Sequence, residues 1–189
     1  MKFRSLASLI TLAAFTFSVG SYAQETAIKP DSFIGSYLTI CMQNLNNLEA
    51  LRSRLIQNKI PKFPPEQGKN FLMGMEGDAW PRPQDGVLGN LVLALPTGKN
   101  VCAIYARRAH QNEVEQQFIK LVEKTPVPFL VAERKSDVYN DTPANGKTRT
   151  ITFTWGAPNA DRKLRFVLTT SALETAELQA LATASIGPD

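Results

Sequence analysis

Few residues of this chain can do chemistry, and their spacing restricts which chemistry that is. Histidine occurs once, at His110, so histidine-dependent general base catalysis would rest on that residue alone. No G-x-S-x-G turn is present to raise a nucleophilic serine. Glu76 and Asp78 flank Gly77, and Asp85 follows. A paired-carboxylate hydrolase needs two such groups on either side of a bond, one with a raised pKa. Solvated loop carboxylates are the commoner outcome, so none of these is read as catalytic. His110 reads as an exposed residue at the entry to a helix. With one histidine and two cysteines, a tetrahedral zinc site lacks ligands. Met73 and Met75 could offer thioethers to copper(I), but only Met42 could join them, and ordinary packing explains all three. Calcium-loop and phosphate-cradling glycine patterns are absent. The expectation is no catalytic residue, no metal and no cofactor.

Basic residues gather toward the ends of the extended segments: Arg107 and Arg108, Arg134 and Lys135, Lys147 and Arg149, then Arg162, Lys163 and Arg165. One reading is edge protection, because charged side chains discourage strand-to-strand aggregation. The other is contact with an acidic partner surface or an anionic envelope component. The contact set that follows is Glu76, Asp78, Arg82, Arg108, Arg149 and Arg165, with the loop 76–86 as its centre. The partner expected is a protein of the cell envelope. Nucleic acid is not expected, since no dense Lys/Arg block with interleaved aromatics occurs.

Residues 1–23 explain the compartment. Lys2 and Arg4 precede an apolar run from Leu6 to Val19, and Ser21 and Ala23 fit a signal-peptidase site before Gln24. The run is shorter than the roughly 20 residues a membrane span needs. The expectation is an exported, periplasmic protein without a membrane span, residues 24–189 forming one domain. Loss of the leader lowers the formal net charge from +4 to about +2. Two cysteines in an exported chain pair more often than not. A Cys41–Cys102 bond would close a loop of about 60 residues, worth roughly 4 kcal/mol by loop-entropy reasoning.

The elements that must position these groups centre on the segment 86–108. Val87 to Leu95 is apolar at odd and even positions alike, as in a strand covered on both faces. Residues 96–100 supply turn chemistry, and Val101 to Arg108 returns as a second strand carrying Cys102. Upstream, Asp31 or Ser32 opens a helix to about Leu55, with Phe33, Tyr37, Cys41, Leu45, Leu48, Leu51 and Leu55 on one stripe. Residues 73–83 read as an ordered loop or very short strand. Asn112 with Glu115 gives a capping-box pattern opening a second main helix. Strands follow at 129–134, 148–155 and 163–170, and the Ala/Leu-rich stretch 174–186 reads as a terminal helix.

The fold class expected is therefore α+β. It has a single antiparallel sheet of about five strands with helices packed on it, in the order α-β-β-α-β-β-β-α, as in profilin-like or PAS-like topology. The cysteine pair, the F-L-x-G, G-x-x-W run at Phe71, Leu72, Gly74, Gly77 and Trp80, and the following strand pair resemble a family of short exported Gram-negative proteins of unassigned activity. That resemblance implies export and one small domain, and it transfers no functional residue. The function expected is a periplasmic non-enzymatic binding or accessory protein. The alternatives are a hydrolase using loop carboxylates or His110, and a small-ligand sensor module.

Overall fold

The computed structural model describes residues 27–84 and 87–188. The expected leader, Asp85 and Gly86 lie outside the described residues. Seven strands form one antiparallel sheet: β1 (Gly77–Gln84), β2 (Val87–Pro96), β3 (Val101–Ala106), β4 (Val131–Thr142), β5 (Gly146–Gly156), β6 (Arg162–Ser171) and β7 (Ala180–Pro188). Their order across the sheet is β1-β2-β3-β7-β6-β5-β4. Two meanders thus meet in the middle. The chain leaves β3, crosses one face as a helix (α4, Gln111–Val122), and starts again at the far edge with β4. It then returns strand by strand until β7 pairs with β3.

The expected five strands and the order α-β-β-α-β-β-β-α need correction. The terminal helix over 174–186 is instead the loop leading to β7 and β7 itself, and this is one reason the sheet exceeds five strands. Alanine favours helices in isolation, but tertiary packing overrides that preference here. Ala180, Ala182 and Ala184 are buried beneath the helices, where larger side chains would hold those helices off. Tyr37 comes close enough to donate its hydroxyl proton to the Thr183 carbonyl at 2.8 Å. The segment 73–83, read as a loop or very short strand, supplies the other extra strand as β1. Gly77 permits that pairing, since a Cβ there would stand 2.4 Å from the Leu95 carbonyl oxygen.

The single helix expected from Asp31 to Leu55 is broken. Helix α1 (Pro30–Ser36) runs into a π-helical turn (Tyr37–Met42), then a short 3-10 turn (Leu45–Asn47), then α2 (Leu48–Gln57). The asparagines cause the break, because their amides compete with the backbone for its own hydrogen bonds. Asn44 Nδ2 donates to the carbonyls of Thr39 and Ile40. Asn47 Oδ1 accepts from the Ala50 N–H and so starts α2 afresh. The apolar stripe survives the break, with Phe33, Tyr37, Cys41, Leu45, Leu48 and Leu51 all buried.

Cys41 and Cys102 form a disulfide, both fully buried, with Cα atoms 5.3 Å apart. It bolts the π-helical turn to β3. Around it, Phe33, Tyr37, Trp80, Phe118 and Phe166 fill the space between helices and sheet. A smaller cluster occupies the opposite face over β1–β3. There Leu72, Phe63 and Phe71 cover Ala79, Val92, Ala94, Ala103 and Tyr105. The short helix α3 (Pro65–Gly68) belongs to this covering segment.

Candidate functional site: a polar cleft at the start of α4

The concave feature of interest lies where β3 ends, β6 ends and α4 begins. Its volume is about 900 Å³, and its lining includes Arg108, His110, Gln111, Glu113, Glu174 and Gln179. Gln179 is the strut. The residue is 7% exposed, and its side chain accepts from the Ala109 N–H at 2.8 Å and donates to the Leu173 carbonyl at 3.0 Å. Its backbone N–H donates to Ala106. One residue therefore fixes the 171–179 loop against the segment leading into α4. Arg108 adds a second tie, donating to the Ala176 carbonyl at 2.9 Å, while its own N–H donates to Asn90 Oδ1. Ile28 closes the side, pairing in parallel with Ala109.

His110 stands at the N-cap position of α4 and is exposed, as the sequence implies. The capping box does not form. No side chain caps the helix, and Glu115 turns instead into the protein, where it is 5% exposed. There it accepts from Thr170 Oγ1, from Gln111 Nε2 at 2.9 Å and from Arg149 Nη1. The reason is competition for charge. A guanidinium on β5 offers a buried carboxylate a stronger partner than the N-cap amide does.

Arg149 is held in an ion network. It bridges Glu115 to Asp137, donating Nε and Nη2 to the two Asp137 carboxylate oxygens at 2.8 Å each. The Asp137 hydrogen bonds raise the Arg149 pKa, burial opposes this, and the bond to Glu115 adds to the rise. The Arg149 hydrogen bonds hold the Asp137 carboxyl below its ordinary value against burial, helped by the Arg149 and Arg134 charges.

The remaining expected contact residues are spread over the molecule. Glu76 is exposed just before β1. Asp78 is committed to structure, ion-paired with Arg52 and with Lys62. Arg52 is itself 8% exposed and also donates to Glu49 and to the Leu95 carbonyl. Arg82 is half-buried on β1. Arg165 is exposed on β6 and reaches the Pro188 carbonyl. Arg108 alone of the six lines the cleft.

Asp78 and His110 lie toward opposite ends of β2 and β3, because Asp78 pairs beside Leu95 while His110 follows Ala106. Burial pushes the Asp78 carboxyl up, but Lys62 and Arg52 outweigh it and hold the group below its ordinary value. A general acid needs the reverse shift. Among the described residues, no group of three or more His, Cys, Asp or Glu side chains could hold a metal ion. No helix among them is long and apolar enough to cross a membrane.

Sequence reasoning missed Gln179, Glu115 and Thr170. Composition places Gln179 in a helix, and spacing places Glu115 at its own helix cap. The available signal was an isolated polar residue inside an apolar alternation, as with Thr170 after Phe166 and Leu168. No family model, curated protein or solved structure matches the chain. The class defined by fold and site is a disulfide-stapled α+β protein with a mixed-charge cleft at one end of its sheet.

Proposed function

We propose that this is an exported, periplasmic, non-enzymatic accessory protein that binds another macromolecule of the cell envelope through the cleft at the start of α4. The observation that carries this reading is the cleft's lining. It combines a guanidinium (Arg108), an imidazole (His110) and exposed carboxylates (Glu113, Glu174) on a frame that Gln111, Ser171 and Gln179 brace through internal hydrogen bonds. Such a surface suits an extended polar polypeptide segment, which offers backbone donors and acceptors and charges of both signs. The buried disulfide supports export, since such bonds persist in oxidising compartments. Pull-down from periplasmic extract tests the reading, with the partner identified by mass spectrometry and the complex rebuilt from purified proteins. Wild-type protein is expected to retain the partner, and a Glu113→Arg, Glu174→Arg variant to bind it at least about tenfold more weakly. Equal binding by the two, or no partner together with turnover of a cell-wall or ester substrate, would overturn it.

The cleft's volume favours a second reading, a small polar ligand, because pockets for such ligands span roughly 300–1,000 Å³. A polar metabolite that raises the melting temperature of wild-type protein but not of the double variant, with no macromolecule retained, would select that reading.

A further inference from the structure

The two edges of the sheet are finished differently. At β1 the segment before it runs alongside, with the Phe63 N–H donating to the Ala79 carbonyl and Lys62 paired to Asp78. At β4 the outermost strand is twelve residues long and exposed at most positions on both faces. Of the eight large apolar side chains exposed among the described residues, four lie on or beside this strand: Phe129, Val131, Val138 and Tyr139.

We propose that β4 is a self-complementary edge, through which two copies of this chain pair antiparallel about a two-fold axis and join their sheets into one. The argument rests on the bulge in β4. The register with β5 shifts between Arg134 and Ser136, so Lys135 is the extra residue. Before the bulge Glu133 lies across from Thr154, and after it Val138 lies across from Thr150. Those threonines are four apart on one strand. They therefore share both side-chain face and hydrogen-bonding direction, and so must Glu133 and Val138. In an unbulged strand, residues five apart would face opposite ways. The same reasoning places Arg134, across from Phe153, on one face with Asp137, across from Ile151.

The strand thus reads alike in both directions about its bulge. A second β4 laid antiparallel with the axis at that point meets it in register. Arg134 then faces Asp137 of the second copy, and Asp137 faces Arg134 in return. Glu133 faces Val138, and Ala132 faces Tyr139. An isologous contact of this kind repeats every pairing twice. Edge charges normally discourage such pairing. Here the opposite signs are placed across the axis, and each copy's carboxylate already sits in a guanidinium network with Arg134 and Arg149. The second copy extends that network instead of burying an unpaired charge.

Val138 gives a test specific to this register. It is 46% exposed, so either a Glu or a Lys there is compatible with folding, and matched melting curves check this. Sedimentation from low to high micromolar concentration is expected to show wild-type monomer converting to dimer. Val138→Glu sets like charges against Glu133 twice and should weaken the dimer at least tenfold. Val138→Lys sets opposite charges there and should keep or tighten it. A wild-type chain that stays monomeric, or a dimer on which the two variants act alike or in the reverse order, overturns the proposal.

Discussion

The two halves of the sheet share a pairing scheme and differ in how they are covered. Strands β1–β3 are enclosed on both faces, by the α1 to α2 segment on one side and by Phe63, Phe71 and Leu72 on the other. Strands β4–β6 are covered on one face by α4 and carry threonines on the other, where Thr150, Thr152 and Thr169 are half-buried and Thr154 is buried. Thr150 and Thr169 pair there at 2.9 Å. Alternation along each strand records the difference. In β2 the positions 91–95 are apolar without a break and all buried. In β5, Ile151, Phe153 and Trp155 go inward while Thr150 and Thr152 are left half-buried. A strand's pattern thus tells how many layers will lie on it, and the disulfide fastens the half that has three.

The largest expected break in this contrast is removal of that fastening. Replacing both cysteines with serine frees α1 and the π-helical turn from β3 and should cost roughly 4 kcal/mol, read as a fall in the urea midpoint. A loss below about 1 kcal/mol would mean the enclosed half holds itself together.

Next come the ion pairs, one set in each half. Asp78→Ala leaves the buried Arg52 guanidinium with only the exposed Glu49 carboxylate and the Leu95 carbonyl and should cost about 2 kcal/mol. Arg134→Ala removes an exposed partner from β4 and should cost no more than about 1 kcal/mol. Comparable losses would erase the distinction. The Asp78 effect also carries a pH signature. Its carboxyl is held below the ordinary 3.8 in the folded protein, so on acidification the unfolded chain takes up that proton first. The stabilisation is full above the unfolded value and drains as pH falls toward the folded one. Asp78→Asn should therefore show a shallower loss of stability on acidification than wild type, measured by denaturation at stepped pH.

A smaller effect sharpens the comparison of faces. Val92→Thr puts a hydroxyl beneath the Phe63–Phe71–Leu72 cover and should cost about 1–2 kcal/mol. Thr152→Val, on the uncovered face, should stay within about 0.5 kcal/mol of wild type.

Much of this organisation was legible in the sequence because it is periodic. The β2–β3 hairpin, the alternation of β5 and β6, the apolar stripe through Cys41 and the bridge to Cys102 all follow from local spacing and cysteine arithmetic. What was not legible depended on neighbours distant in the chain. Ala180 to Ile186 has a helix former's composition, and only its place beneath Tyr37 explains why small residues in a strand are needed there. Glu115 has the spacing of a capping residue, and only Arg149, 34 positions away, explains where its carboxylate goes. The cleft was hidden for the same reason. Its lining comes from the ends of three elements that no sequence window contains, and its strut, Gln179, sits in the segment whose composition reads as a helix.

The central claim is that one half of the sheet is enclosed and pinned while the far edge is not. Native-state hydrogen exchange in a dilute sample tests it directly, strand by strand. Amides of β2 and β3 should exchange only through global unfolding and share one free energy of opening, while those of β4 should open locally and exchange far faster. Equal protection of β4 and β2 at that dilution would contradict it.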